Sequence, residues 1–245
     1  MSSSPTQKIN RLVGRAMHTY SMLAEGDRVM VAVSGGVDSL ALAWLLFHWR
    51  DKAPIHYDLL AVHLNMGFDS DGHEAVEQQL QHIGIPYLIE HTTIGAEAYA
   101  NKEGMSVCFT CARNRRNRLF QMATERQYSK IALGHHKDDI IETFFLNMLY
   151  SGNISTMVPR QDLFNKTMAI IRPLAFLEKD KVIQMATAAG LRAVKNPCPN
   201  ADHSKREEVR SLLTSLFSAN PEFRDNIFAS LSNVRHDYLL KKPCP

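Results

Sequence analysis

Short apolar runs alternating with amphipathic helical stretches predict an α/β chain. The expected fold is a doubly wound, mainly parallel five-stranded sheet with extra N- and C-terminal helices. Two further observations point the same way. Met30-Val31-Ala32-Val33 runs straight into Ser34-Gly35-Gly36 and then into an apolar helical stretch, the junction of a buried strand, a tight turn and a helix start. No apolar run approaches the roughly 18 residues that a membrane span requires.

The elements follow in order. Ile9, Leu12, Val13, Ala16, Met17 and Tyr20 recur at three- and four-residue spacing and predict an N-terminal helix. Arg28 to Val33 reads as the first strand and Asp38 to Trp49 as the helix after it. Tyr57 to Leu64 is the second strand. Ser70 to Gly84 is an amphipathic helix, capped by Ser70 and ended by Gly84. Pro86 to His91 is the third strand, and a loop of about 16 residues follows, long enough to be a functional candidate. Thr110 to Gln127 reads as helix, Lys130 to Gly134 as the fourth strand and Asp138 to Tyr150 as helix. Met168 to Pro173 is the fifth strand, and Glu178 to Ala189 is a helix stopped by Gly190. Ser204 and Glu207 form a capping box ahead of Val209, Leu212, Leu213, Leu216 and Phe217. Asn220 caps the last helix with Pro221 at its first position. The expected organisation is a disordered tail over 1–7, one α/β domain over 8–203 and a helical extension over 204–245.

Composition narrows the class. A hydrophobic content of 45% and a charged content of 22% are ordinary for a globular chain, and a net charge of +3 does not by itself announce a nucleic-acid binder. Met1 to Gln7 has no signal-peptide core. Four cysteines without a secretory signal point to a reducing, cytoplasmic setting, with metal or redox chemistry in place of structural disulfides.

The turn Ser34-Gly35-Gly36-Val37-Asp38-Ser39 is the most informative segment. Free N–H groups at a helix start, with the positive end of its dipole, make an anion site. Two glycines let the backbone approach an anion closely, and Ser34 and Ser39 add hydroxyl donors. Asp38 is useful there when a divalent cation such as Mg²⁺ bridges it to phosphate oxygens. A serine-capped βα turn would explain S-G-G alone; S-G-G-x-D-S directly after a strand is read as a nucleotide site. The Walker A lysine and spacing are missing, and so is G-x-G-x-x-G, which argues against a dinucleotide oxidoreductase. Ligands of doubly wound sheets bind at the carboxyl ends of the strands. Ala61, Val62 and His63 would therefore border adenine or ribose, with Gly134, His135, His136, Asp138 and Asp139 on the same edge. Structural alternatives stand beside these assignments: His63 as a satisfied strand-end histidine, Asp138 as a helix N-cap and Asp139 as a first-turn acid.

Cys108-Phe109-Thr110-Cys111 opens a helix that carries Arg113, Arg115, Arg116 and Arg118, and both the dipole and these cations favour thiolate. A third cysteine lies in Asn196-Pro197-Cys198-Pro199, and Cys244 is penultimate. Four explanations compete. They are a structural zinc site completed by Cys244 or His203, a thioredoxin-like pair, a persulfide-passing pair, and a 4Fe–4S cluster on three cysteines with one iron open. Spacing alone does not decide among them.

Several segments together resemble a known family. S-G-G-V-D-S looks like the PP-loop of the ATP pyrophosphatases, which adenylylate a carbonyl oxygen or carboxylate; their fold is that of the adenine nucleotide alpha hydrolases. Cys108-Phe-Thr-Cys111-Ala-Arg-Asn-Arg-Arg, Lys130-Ile-Ala-Leu-Gly-His-His-Lys-Asp-Asp139, Phe145-Leu-Asn-Met-Leu-Tyr150, Ile171-Arg-Pro-Leu174 and Pro197-Cys198 are similar in order and spacing to the TtcA family, the tRNA 2-thiocytidine synthetases. The family often has lysine where this chain has Val37. The resemblance implies ATP-dependent replacement of the C2 oxygen of cytidine 32 in the tRNA anticodon loop by sulfur, with a 4Fe–4S cluster on Cys108, Cys111 and Cys198.

The implied chemistry has two steps. The C2 carbonyl oxygen attacks the α-phosphorus of ATP and pyrophosphate leaves; sulfide on the open iron then attacks C2 and expels AMP. Asp38, Cys108, Cys111 and Cys198 are the candidate catalytic residues, with Asp38 facing Mg²⁺. Arg113, Arg115, Arg116 and Arg118 are candidates for tRNA phosphates, extended by Lys205, Arg206, Arg210, Arg224, Lys241 and Lys242 unless these form an ordinary solvated face. The expected partners are tRNA and a sulfur donor such as a cysteine desulfurase or inorganic sulfide; no membrane is expected, and a homodimer is one option. The rival readings are a cluster-free PP-loop thiolase, a lysidine-type ligase, and a non-enzymatic nucleotide-binding redox or zinc sensor.

Overall fold

The computed structural model describes residues 6–68, 72–100, 107–195, 197–199 and 205–240. They divide into two compact units, one of 1–137 with 158–204 and the other of 138–157 with 205–245.

The first unit is built on a sheet. Its strands are β1 (Asp27–Ala32), β2 (Tyr57–Asn65), β3 (Tyr87–His91), β4 (Lys130–Ala132), β5 (Arg160–Leu163) and β6 (Met168–Ile171), in the order β3-β2-β1-β4-β6-β5. All neighbours are parallel except β5, which runs antiparallel to β6. The mainly parallel doubly wound sheet is therefore as expected, but it has six strands among the described residues, not five. β5 escaped the sequence reading because Arg-Gln-Asp-Leu shows no apolar alternation. It is an edge strand, folded onto β6 by a turn in which Phe164, Asn165 and Lys166 all take positive φ. Connections leave β1 toward β2 on one side and β4 toward β6 on the other, so strand order reverses between β1 and β4. That reversal puts a crevice outside their carboxyl ends.

Period-two alternation divides the core between the sheet faces. Val29 and Val31 of β1 pack with Ala132 and Ile171 in one cluster; Met30 packs with Val62, Leu64 and Ile131 in the other. The first face is covered by α1 (Gln7–Thr19), α2 (Val37–Arg50), α3 (His73–Ile83) and α7 (Lys179–Ala188), the second by α5 (Val107–Glu125). α2 is buried on every side from Ser39 to Leu46, which is why its sequence is apolar without a stripe. Truncating Leu42 or Leu45 there would cost about 2–5 kcal/mol. α3 ends at Gly84 with φ 79, as expected of a left-handed cap. Part of the expected long loop is helical instead, as α4 (Ile94–Ala100), where Thr92 and Thr93 hydrogen-bond Asn65 O and Glu97.

The second unit comprises most of α6 (Lys137–Ser151) with α8 (Lys205–Ala219), α9 (Glu222–Ser230) and a 3₁₀ turn His236–Tyr238. Ile141 of α6 packs on Val209 and Leu213 of α8, flanked by Phe145, Leu146, Leu216, Phe217, Ile227 and Phe228. The sequence boundary at 204 left 138–157 with the sheet; the contacts group that stretch with the C-terminal helices. Glu142, buried, accepts from Arg210 at 2.9 Å and forms an ion pair with Arg206 at 3.2 Å, and Asp138 pairs with Arg224 at 3.0 Å. The expected Asn220 cap is displaced by one residue: the helix begins at Glu222, Pro221 holds the N-cap position without a side-chain bond, and Asn220 Oδ1 accepts from Glu222 N one position earlier. The expected Ser70 and Ser204 caps, Cys244, Lys241 and Lys242 lie outside the described residues. No helix among the described residues is long and apolar enough to cross a membrane.

Candidate functional site

The Ser34–Ser39 turn is closed by its own side chains. Ser39 Oγ donates to Gly36 O at 2.8 Å and accepts from Ser34 N at 3.1 Å, so the hydroxyl that begins α2 also fixes the residue that leaves β1. Gly36 is the N-cap, and the first N–H groups of α2 have no partner within the helix. Gly35 has φ +88, and a Cβ there would meet Val76 Cγ2 at 2.9 Å. Its carbonyl accepts from Val194 N at 2.9 Å, which ties the 191–195 segment to the turn.

Gly134 needs its missing side chain for a different reason. A Cβ there would lie 2.9 Å from the carbonyl carbon and oxygen of Asp38 and from Ser39 N. The end of β4 thus rests directly on the first turn of α2. His63 Nδ1 lies 2.8 Å from Val33 O, which satisfies one ring nitrogen and joins the ends of β1 and β2. The side chains of Ala61 and Val62 are in the core, and Val62 O accepts from Val33 N.

Asp38 has a partner the sequence did not reveal. Lys179 Nζ, from the first residue of α7, donates to Asp38 Oδ1 at 2.7 Å and Oδ2 at 2.6 Å; His136 Nε2 is 3.9 Å from Oδ1. His135 Nδ1 accepts from Arg172 Nε at 3.3 Å. Asp138 and Asp139 belong to the second unit: Asp138 holds Arg224, and Asp139 O accepts from Thr143 Oγ1.

Cys108 and Cys111 stand in the first turns of α5, Cys108 exposed and Cys111 half-buried; Cys198 lies half-buried between Pro197 and Pro199. Among the described residues, none of the three is in a disulfide. Burial pushes the Cys111 thiol up, Arg115 pulls it down, and the neighbouring charges of Cys198 and Cys108 push it up again. The expectation that helix dipole and arginines favour thiolate is thus outweighed at Cys111, mainly by desolvation. The same coupling brings Cys198 within electrostatic reach of Cys111, though 87 positions separate them in sequence (198 − 111). The donor set suits a thiolate-bound metal or cluster in kind. Among the described residues, however, no three His, Cys, Asp or Glu side chains converge as a ready metal site. Arg113, Arg115 and Arg116 are exposed, whereas Arg118 is held by Glu90 at 2.5 and 3.0 Å and by Glu125 at 3.1 Å.

Comparison with known proteins matches residues 2–216 to a PP-loop domain. A tRNA-cytidine(32) 2-sulfurtransferase of Syntrophotalea carbinolica is 37% identical over 96% of this chain and 92% of its own. One of Dichelobacter nodosus is 35% identical over 96% and 88%. This chain belongs to the PP-loop family, among the tRNA-cytidine(32) 2-sulfurtransferases. The U34-tRNA thiolase NcsA of Methanococcus maripaludis, solved with its 4Fe–4S cluster, superposes with a TM-score of 0.76 at 26% identity, over 92% of this chain and 78% of that one. An NH₃-dependent NAD synthetase of Campylobacter jejuni shares the fold, with a TM-score of 0.52 at 15% identity.

Within the sheet unit, then, the PP-loop is met by Lys179, His136, Gly134 and Val194. Lys179 and Val194 were missed. Lys179 sits in the charged run Glu178-Lys179-Asp180-Lys181, which reads as an ordinary helix start, and nothing in its sequence points to a partner 141 residues away. Val194 is one apolar residue in a basic stretch, and its role is carried by its backbone.

Proposed function

We propose that this chain is an ATP-dependent tRNA sulfurtransferase that adenylylates the C2 carbonyl of a cytidine, at anticodon-loop position 32, and replaces its oxygen with sulfur. One observation carries the reading. Val194 is bonded to the PP-loop at Gly35, and Cys198 is only four residues further on. An extended chain of four residues spans at most about 14 Å. The nucleotide turn and the cysteine that couples to Cys111 are thereby held close together in the same unit.

The residues have distinct tasks. N–H groups at the start of α2, with Ser34, bind phosphate oxygens and offset the charge that develops as the C2 oxygen attacks the α-phosphorus and pyrophosphate leaves, while Ser39, whose hydroxyl proton goes to Gly36 O, holds the turn in shape. Asp38 is the residue that would hold Mg²⁺ arriving with ATP. Both its oxygens face Lys179, so a metal there would share Asp38 with an ammonium that could serve the phosphates instead. Adenylylation is required because a carbonyl oxygen is a very poor leaving group, whereas AMP is a good one. Cys108, Cys111 and Cys198 would hold the 4Fe–4S cluster, which supplies sulfur in a nucleophilic form when bound. The raised Cys111 thiol must lose its proton to become a ligand, and Arg115 favours that loss. Exposed Arg113, Arg115 and Arg116 are suited to RNA phosphates; Arg118 is already engaged by Glu90 and Glu125.

The exposure of Cys108, beside Cys111 at the start of α5, favours one alternative, a cluster-free route with sulfur carried as persulfide on the Cys108–Cys111 pair. Anaerobic purification followed by iron and acid-labile sulfide analysis separates the two. The expected protein is brown, with about four irons per chain if the cluster is 4Fe–4S. Cys198→Ala is expected to abolish 2-thiocytidine formation, read by mass spectrometry of tRNA nucleosides. Full thiolation by that variant, or by an iron-free wild type, would overturn the cluster assignment.

A further inference from the structure

Arg172 follows β6 directly and is 6% exposed, yet among the described residues it meets no carboxylate. Its Nε donates to His135 Nδ1 at 3.3 Å and Nη1 to Val158 O at 2.6 Å, both neutral acceptors. The register Ala132↔Ile171, with Leu133 N donating to Ile171 O, sets Arg172 and His135 side by side at the carboxyl edge of the sheet. His135, accepting at Nδ1, fixes the guanidinium from the end of β4. Burial, and then the like charge of Arg116 on α5, depress Arg172 to about 10, so it remains charged at neutral pH in surroundings that oppose the charge. A buried guanidinium without a counter-charge is costly, and packing alone would be better served by an apolar side chain. An anion arriving at this point removes the cost.

We propose that Arg172, with His135 and Arg116, forms a second anion site beside the PP-loop that takes a phosphate group. Arginine suits this role because its planar fork binds two phosphate oxygens at once. An RNA backbone phosphate next to the target nucleotide and the polyphosphate of ATP share that chemistry. The inference deepens the proposed function and depends on it only for which phosphate fills the site. Arg116 lies five positions beyond Cys111 on the same helix, about 7.5 Å along its axis.

The test measures binding, so it does not depend on sulfur transfer. Affinities for an unmodified tRNA transcript, at several salt concentrations, and for ATP are compared among wild type, Arg172→Met, Arg172→Lys and Arg116→Ala. If RNA supplies the phosphate, each variant binds tRNA about tenfold more weakly with ATP affinity unchanged, and the slope of log affinity against log salt falls by about one in Arg172→Met and Arg116→Ala but holds in Arg172→Lys, which keeps the charge. If ATP supplies it, nucleotide affinity falls and the salt slope for RNA stays the same; the anion site stands with its source assigned. Arg172→Met is expected to melt no lower than wild type, because a buried charge has been removed, whereas a merely structural arginine would give a loss of stability. Should Arg172→Met fail to fold, exposed Arg116 and the retained charge of Arg172→Lys carry the measurement. Unchanged affinity for both ligands in the Arg116→Ala and Arg172→Lys proteins would overturn the site. Intact tRNA binding by a wild type that never thiolates would instead overturn the proposed function and leave the site standing.

Discussion

At the scale of single residues, Lys179 alters the reading of the PP-loop most. Asp38 looked like a carboxylate waiting for a cation, and the cation present is an ammonium supplied from α7. The PP-loop itself carries none, with Val37 in the turn. Removing Lys179 leaves Asp38 facing the phosphates with one positive charge fewer. Lys179→Met is therefore expected to raise the Kd for ATP by about tenfold to a hundredfold, on the scale of a charge-assisted hydrogen bond. It is also expected to let Mn²⁺ bind the nucleotide-free protein more tightly, read by electron paramagnetic resonance; a purely structural lysine would leave Mn²⁺ binding unmoved. The S-G-G-V-D-S motif made the strand-turn-helix junction legible, because glycine, hydroxyl and helix start are neighbours in the chain. The ammonium was illegible because an ion pair spanning 141 positions leaves no local pattern.

At the scale of elements, the fold was largely legible wherever burial dictates composition. β1, β2, β4 and β6 are apolar because both faces of a parallel sheet are covered, and α2 is apolar throughout because it is covered on all sides. β5 and α4 were not legible: one is a polar edge strand, the other a seven-residue helix secured by two threonines. Gly134 belongs to this scale too, since its role is to let a strand end touch a helix start. Gly134→Ala places a methyl group 2.9 Å from the backbone of Asp38 and Ser39, where neither neighbour is a flexible side chain. The expected cost is about 1–3 kcal/mol, typical of overpacking. Calorimetry should show the fall in Tm and titration a parallel loss of ATP affinity. A variant of wild-type stability and affinity would mean that β4 and α2 separate more readily than the contact implies.

At the scale of the whole molecule, the two units are held by different means. The sheet unit relies on two large apolar clusters; the helical unit has a small one reinforced by Glu142, which is buried and shared between Arg206 and Arg210. These arginines were candidates for RNA in the sequence, since a cation at helical spacing does not reveal whether it faces solvent or a buried carboxylate. Glu142→Ala leaves two cations partly buried without their partner, at a cost of about 1–3 kcal/mol given their partial exposure. Hydrogen exchange is expected to quicken in 205–230 while β1 and α2 stay protected. Uniform loss of protection across both units would show that they unfold as one.

The bond from Val194 to Gly35 has a consequence for how such a chain can change. It anchors one end of a stretch whose other end is Cys198, so the reach from phosphate turn to thiol is set by a count of peptide units. One inserted residue between 194 and 198 would lengthen that reach by up to about 3.5 Å while every strand and helix kept its sequence. The segment is a ruler, and its graduations are peptide bonds.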